Sequence, residues 1–230
     1  MRYFGGKSRV AKKIVSYLES QRKKDQKFIE PFVGGANIVS RMVGDREAYD
    51  INSYLIELYK NLQNGYNLPD YISEEDYKYV KSHLDENPPL TAFVGFGCSY
   101  AGKWFGGYAR GEGRNFAAEA KRSILKKMST MENVIFKCCD YKTLHLSNCL
   151  IYCDPPYKGT TKYNGVPDFD HKLFWEIMRK WSINNDVFIS EYDAPDDFEC
   201  VLSIPTKTQM RDTNGNHIDR IEKLYRYKNI

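Results

Sequence analysis

The sequence predicts an α/β fold: a mainly parallel sheet interleaved with helices, closed near its C-terminus by an antiparallel strand pair and interrupted by a smaller, mainly helical insertion. Strand-like apolar runs alternate with helical patterns in both halves, a glycine turn follows the first strand, and the texture changes between residues 61 and 130. A chain of 230 residues accommodates one such domain with its insertion. With 42% hydrophobic and 28% charged residues, the composition is that of a folded globular protein and excludes extended disorder.

The elements follow in order. Ser8 to Ser20 reads as a helix capped by Ser8, with Val10, Ile14, Val15 and Leu18 on one face. Lys27 to Val33 reads as a strand ending at Gly34-Gly35, and Ala36 to Val43 resumes a helical pattern. Arg46 to Tyr49 is a second strand before Asp50, and Asn52 to Leu62 a second helix with Leu55, Ile56, Leu58, Tyr59 and Leu62 on its apolar side. Turn residues then flank a polar helix, and seven of the sixteen glycines crowd into 95–113. Beyond a basic helix, Phe116 to Met128, strand-like runs return at Asn133–Cys138, Asn148–Cys153 and Asp186–Ser190, with the apolar helix His171 to Ser182 between the last two. Glu199–Ile204 and Ile221–Tyr227 make the closing pair, joined through Asp212-Thr213-Asn214-Gly215-Asn216.

No apolar signal core or stretch of membrane-spanning length occurs, so a cytoplasmic location away from membranes is expected. Six cysteines without a CxxC pair read as buried thiols rather than a zinc site or disulfides. The net charge of +4 conceals segregation: residues 1–27 carry +7, residues 99–127 carry +5, and the remainder carries −8. That pattern suggests a polyanion gripped by two surfaces, although a basic segment is more often a solvated face.

Two motifs carry chemistry. The apolar run Leu150-Ile151-Tyr152-Cys153 discharges into Asp154-Pro155-Pro156-Tyr157, at the strand end where open α/β sheets bind ligands. Two prolines remove both amide donors and leave rigid acceptors, which suit a donor amine such as N6 of adenine. Acceptors on its two protons would localise the nitrogen lone pair toward a sulfonium methyl donor, with no metal or strong base required. Tyr157 offers a face for an extruded base. The plainer reading is a tight turn after a buried strand. The second motif, Phe28-Ile29-Glu30-Pro31-Phe32-Val33-Gly34-Gly35, is followed by Asp50 twenty positions after Glu30. Glycines at a strand-to-helix turn admit a ligand against the backbone, and an acidic residue after the next strand suits ribose hydroxyls. A dinucleotide would fit as well, and Asp50 alone also reads as a helix cap. Asp140, with Tyr141 beside it, follows the third strand and could accept from an adenine amino group.

Tyr3-Phe4-Gly5-Gly6-Lys7, the glycine motif and Asp154-Pro155-Pro156-Tyr157, standing in that order, resemble the Dam-type family of adenine-N6 DNA methyltransferases of bacteria and their phages. The resemblance implies a Rossmann-like S-adenosylmethionine-dependent methyltransferase sheet over residues 1–60 and 131–230, with a target-recognition insertion over 61–130. It implies that Tyr3 (where the family often has Trp) and Lys7 contact the cofactor, and that Glu30, Pro31, Phe32, Gly34 and Gly35 form the loop on its methionine side. Asp50 would bind the ribose, Asp140 and Tyr141 would meet the cofactor's adenine, and Asp154 would lie close to cofactor and target alike. Asp154, Pro155 and Tyr157 would hold the target adenine. In the insertion, Lys103, Arg110, Arg114, Lys121, Arg122, Lys126 and Lys127 are interleaved with aromatic residues and are candidates for DNA contact. The Asn/Phe/Pro-rich hairpin of GATC-specific relatives is missing, so no target sequence follows. The expected partner is double-stranded DNA and the expected state a monomer or weak dimer; a cognate restriction enzyme is a further candidate partner on which the sequence is silent. Cytosine-N4 transfer, methylation of RNA bases or protein amides, a catalytically silent DNA-binding module and a dinucleotide oxidoreductase are the competing readings.

Overall fold

The computed structural model describes residues 1–157, 169–211 and 217–228. Seven strands form one sheet in the order β3-β2-β1-β4-β5-β7-β6, with β1 Lys27–Glu30, β2 Arg46–Asp50, β3 Ile135–Cys138, β4 Cys149–Cys153, β5 Asp186–Glu191, β6 Phe198–Arg211 and β7 His217–Tyr227. The first five strands pair in parallel, whereas β7 runs antiparallel to both β5 and β6. Strand order reverses between β1 and β4, which places the crevice for a ligand outside their carboxyl ends. The connection at 212–216, expected as the turn of the closing pair, lies outside the described residues.

The central strands are buried on both faces, as their apolar runs require, and their side chains divide by alternation. Phe28, Leu150, Tyr152 and Phe188 enter one core with α1 (Ala11–Gln21) and α2 (Ser53–Gln63). Ile29, Ile151, Cys153, Val187 and Ile189 enter the other, covered by α6 (His171–Ser182) through Phe174, Met178 and Trp181. Between α2 and β3 stand α3 (Glu74–Ser82), α4 (Pro88–Ala92), a π turn over Phe93–Gly97, and α5 (Phe116–Met128). Ser73 and Asp76 close α3 with a reciprocal capping box. Phe93, Phe96, Ala120 and Ile124 of this stretch share the first core with α1 and α2. Among the described residues no helix is long and apolar enough to cross a membrane.

Three expectations are corrected. No helix forms over 36–43: Ala36 has φ +50°, the Glu30 carboxylate takes the Val39 amide at 2.8 Å, and the Arg46 guanidinium takes the Val39 and Met42 carbonyls. Side chains thus consume the backbone groups a helix would pair internally. The first helix begins at Ala11 after Val10 with no side-chain cap, because the Lys7 carbonyl already accepts from the amides of Val10 and Ala11. Cys98, Cys149 and Cys153 are buried, but Cys138 and Cys200 are exposed and Cys139 is half-buried, since the strands bearing them lie at the sheet edges or end there.

Across the parallel strands, Glu47 of β2 accepts from Lys27 of β1 at 2.6 Å, from Lys137 of β3 at 2.9 Å and from the Tyr49 hydroxyl. Burial works to raise its pKa, but these donors prevail and draw it down to about 2. Both lysines are more than one-third exposed, so solvent screening limits the gain. Glu47→Gln should lower stability by about 1–2 kcal/mol at neutral pH. The folded pKa lies below the ordinary value of 4.5, so this contribution is complete above 4.5 and lost as pH falls toward 2. Denaturant titrations of both proteins across that range should show the difference shrink in acid.

Candidate active site

Three carboxylates stand at the carboxyl ends of adjacent strands: Glu30 on β1, Asp50 on β2 and Asp154 just past β4. Glu30 is 2% exposed, and burial raises its pKa well above the ordinary range despite the bond from Val39. Asp50 accepts from the Gly34 amide and the Asn52 amide, each at 2.9 Å, and burial raises it too. The cap of α2 is Asn52, which accepts from the Leu55 amide, so Asp50 serves the glycine loop as well as the helix entry.

That loop is held from several sides. Gly34, at φ +41°, donates to Asp50, while its carbonyl accepts from the buried Tyr59 hydroxyl at 2.6 Å. Lys127, from the end of α5, donates to the Gly35 carbonyl and to Asn37 Oδ1 at 2.8 Å. Burial, then the charge of Arg41, lowers the Lys127 pKa to about 8. Lys127 was expected among the DNA-facing cations; the structure commits it to the loop. A Cβ on Gly34 or Gly35 would stand 2.8 Å from Tyr3, so the glycines admit that side chain against the backbone. The Tyr3 ring packs in turn on Phe96, at 4.8 Å between centroids.

Asp154 is the centre of a polar knot. Lys7, 8% exposed, has its ammonium 3.1 Å from Asp154 Oδ1 and 3.0 Å from Glu222 Oε1, and donates to the Tyr157 hydroxyl. Tyr157 donates to Glu222 at 2.7 Å, and its ring lies 4.2 Å from the Lys7 ammonium. One face of Tyr157 is therefore occupied by a cation, and its ring meets Tyr192 edge-on at 4.7 Å. Burial is the largest influence on Asp154 and raises its pKa; Lys7 opposes it, Glu222 adds to it, and the result is about 6. Burial works to lower the Lys7 pKa, but the two carboxylates reverse this and raise it. The knot thus holds a cation charged between two acids at neutral pH. Pro155 is buried and Pro156 exposed.

On the other side of the loop, Phe32 packs against Tyr141 at 4.9 Å and Phe169 at 6.0 Å, with Phe174 behind them. Asp140 caps the short turn that carries Tyr141, accepting from the Lys142 amide and pairing with the Lys142 ammonium at 2.9 Å. Pro31 lies buried between β1 and Phe32. A depression of about 430 Å³ lined by Arg22, Lys24 and Gly44 lies at the amino ends of β1 and β2, the end of the sheet that leaves it out of the site.

Most of the basic residues assigned to DNA already have partners. Arg110 pairs with Glu74 at 2.5 Å, Arg114 with Glu119 at 2.5 Å and Lys121 with Asp70 at 3.0 Å. Lys103 lies 4.6 Å from the Phe4 ring centre, and Arg122 is exposed. Trp104 and Phe105 are packed inward with Phe96 and Tyr77, whereas Tyr100 is 69% exposed. Sequence reasoning missed Glu222, Lys127 as a loop ligand, Tyr59, Asn37 and Phe169. None carries a local motif; each acts across a distance in sequence that only the sheet order closes.

The chain matches the family described as D12 class N6 adenine-specific DNA methyltransferase over residues 3–92 and 102–214. Among solved structures, SMU.472, "a putative methyltransferase complexed with SAH", is similar at 12% identity with a TM-score of 0.35, over 96% of this chain and 53% of that one. The chain therefore spans about half the length of that protein. No curated protein matches it.

Gly34→Ala should destabilise the protein by about 1–3 kcal/mol, because it adds left-handed strain to a contact with Tyr3. Thermal unfolding of the two proteins side by side measures the loss; an unchanged midpoint would show that the loop does not need glycine there.

Proposed function

The chain belongs to the D12 class N6 adenine-specific DNA methyltransferases, and on that premise we propose that it methylates N6 of an adenine turned out of double-stranded DNA at a specific site. Its methyl donor is S-adenosylmethionine. The observation that carries the reading is the Asp154 carboxylate, which emerges from a buried strand beside the glycine loop, at the point where strand order reverses.

The residues fit the donor. The cluster of Glu30, Asp50 and Asp154 at the carboxyl ends of adjacent strands suits a molecule with positive charge at sulfur and amine. The rings of Phe32 and Tyr141, with Asp140 beside them, suit its adenine. Tyr3, Lys7, Gly34, Gly35 and Pro31 shape the loop between the two. When bound, the donor supplies an already activated methyl electrophile, so the protein contributes alignment and electrostatics.

Asp154 and the Pro155 carbonyl accept from the target amine, which frees its lone pair, while Tyr157 steadies the base. Asp154 accepts best as the anion, since protonation turns one oxygen into a donor and weakens the other as an acceptor. The insertion grips the duplex through Lys103, Arg110, Arg114, Lys121 and Arg122; the surface ion pairs of Arg110 with Glu74 and of Arg114 with Glu119 are weak in solvent and exchange readily for phosphates. Double-stranded DNA is the partner in this reading.

Transfer of labelled methyl from S-adenosylmethionine to assorted DNAs, followed by digestion to nucleosides, should place the label in N6-methyladenine. Label in cytosine would replace this reading with N4 transfer. Asp154→Ala should lower the rate by at least roughly 10²–10³-fold with the fold intact. Because its pKa is raised to about 6, the wild-type rate should fall as pH drops through 6, and a flat profile there would remove Asp154 as the acceptor. Reversing Arg110 and Arg114 together to Glu should weaken DNA binding, most at low salt, and leave donor binding unchanged in a filter or fluorescence assay.

A further inference from the structure

We propose that Glu222 is a positioning residue of methyl transfer: by keeping hold of the Lys7 ammonium and the Tyr157 hydroxyl, it leaves the Asp154 carboxylate available to the adenine amine. The inference rests on the function proposed above and concerns a residue beyond 214, where the family match ends.

The geometry points to this role from the count of donors. An ammonium has three N–H groups, and Lys7 finds Asp154, Glu222 and the Tyr157 oxygen as its acceptors. When an amine approaches Asp154, it shares the carboxylate's charge with Lys7 and so weakens the bond from the ammonium. A cation that is 8% exposed has little water to turn to, so the charge has to be met by another anion already in contact. Glu222 stands 3.0 Å from the ammonium and Asp154 stands 3.1 Å, so the cation can lean from one to the other with almost no movement. Glu222 also accepts from the Tyr157 hydroxyl at 2.7 Å, which fixes the ring of the same motif.

The antiparallel strand explains how a residue so late in the sequence arrives there. Lys223 of β7 is in register with Glu191, the last residue of β5, so Glu222 projects at the carboxyl ends of the parallel strands, beside β4 and its motif. Without Glu222 the Lys7 ammonium would settle on Asp154 alone, and the adenine amine would compete with a buried ion pair.

Charge substitution separates this role from packing. Glu222→Gln should lower kcat about ten- to a hundredfold, the scale of a lost hydrogen bond to a charged group, with the KM for S-adenosylmethionine little changed. The groups facing Asp154 are Lys7, Glu222, Tyr157, Tyr152, Cys153 and Glu30. Glu222→Gln removes an anion from that set, so the acid limb of the kcat profile should move to lower pH. Glu222→Asp, which keeps the charge, should retain most of kcat. In Lys7→Met the two carboxylates face each other without a cation, so adding Glu222→Gln should make the double variant faster than Lys7→Met alone. Wild-type kcat with an unmoved acid limb in Glu222→Gln, equal losses in the Asp and Gln variants, or a double variant no faster than Lys7→Met would each overturn the proposal. Thermal unfolding monitors integrity, and a Glu222→Gln protein that does not fold leaves the decision to the Lys7→Met pair. A wild-type protein that methylates adenine beside an unaffected Glu222→Gln removes this inference alone, whereas a wild type that transfers nothing to adenine removes the reading beneath it.

Discussion

Three carboxyl groups crowded into a dry place are the constraint that organises this molecule. Sheet topology forces Glu30, Asp50 and Asp154 together at one end of three adjacent strands, and burial raises the pKa of each. Carboxylates so placed persist as anions only where cations and amides reach them. Lys7 comes from the segment before α1, Lys127 from the end of α5, and the Gly34, Val39 and Asn52 amides from the loops. The first residues of the chain and the helix that precedes β3 thus each deliver a lysine to the same end of the sheet, beside their apolar packing.

The same constraint accounts for the irregular backbone after β1. In a dinucleotide fold the glycine turn would hand over to a helix whose amino end binds an anion. Here Glu30, Arg46, Lys127 and Tyr59 take the amides and carbonyls of that stretch, and Ala36 adopts a left-handed conformation. A loop shaped by fixed side chains has no helix dipole to offer. The acids stand around it at the strand ends, Glu30, Asp50 and Asp154, and suit a positively charged cosubstrate better than a pyrophosphate.

Much of this was legible in advance. Alternation of apolar runs marked all seven strands, because strands buried on both faces must be apolar along their length, and β4 and β5 are buried at every position. The helices at 53–63, 116–128 and 171–182 were readable from stripes that the core uses, as Phe174, Met178 and Trp181 show. The motif at Asp154 identified the strand end where the polar knot forms. Glu222 was not legible: it is one charged residue in a strand of alternating character, and its place depends on β7 running against β5. Lys127 misled for a related reason, since a lysine in a basic helix looks like its neighbours until its ammonium is seen to reach the Gly35 carbonyl. The helix pattern at 36–43 was real in its apolar spacing, and Ile38, Val39 and Met42 are buried, but side-chain bonds to the backbone overrode it.

Lys127 also decides how the molecule can be dissected. By sequence its helix belongs to the inserted stretch, yet its side chain completes the glycine loop, and Ala120 and Ile124 of the same helix fill the core shared with Leu55 and Tyr59 of α2. Excising the stretch would strip a counter-charge from the Glu30 neighbourhood and open one flank of the sheet to water. Phe96, earlier in the same stretch, backs the Tyr3 ring against Gly34 and Gly35, so a graft of residues 61–130 would have to carry both contacts with it.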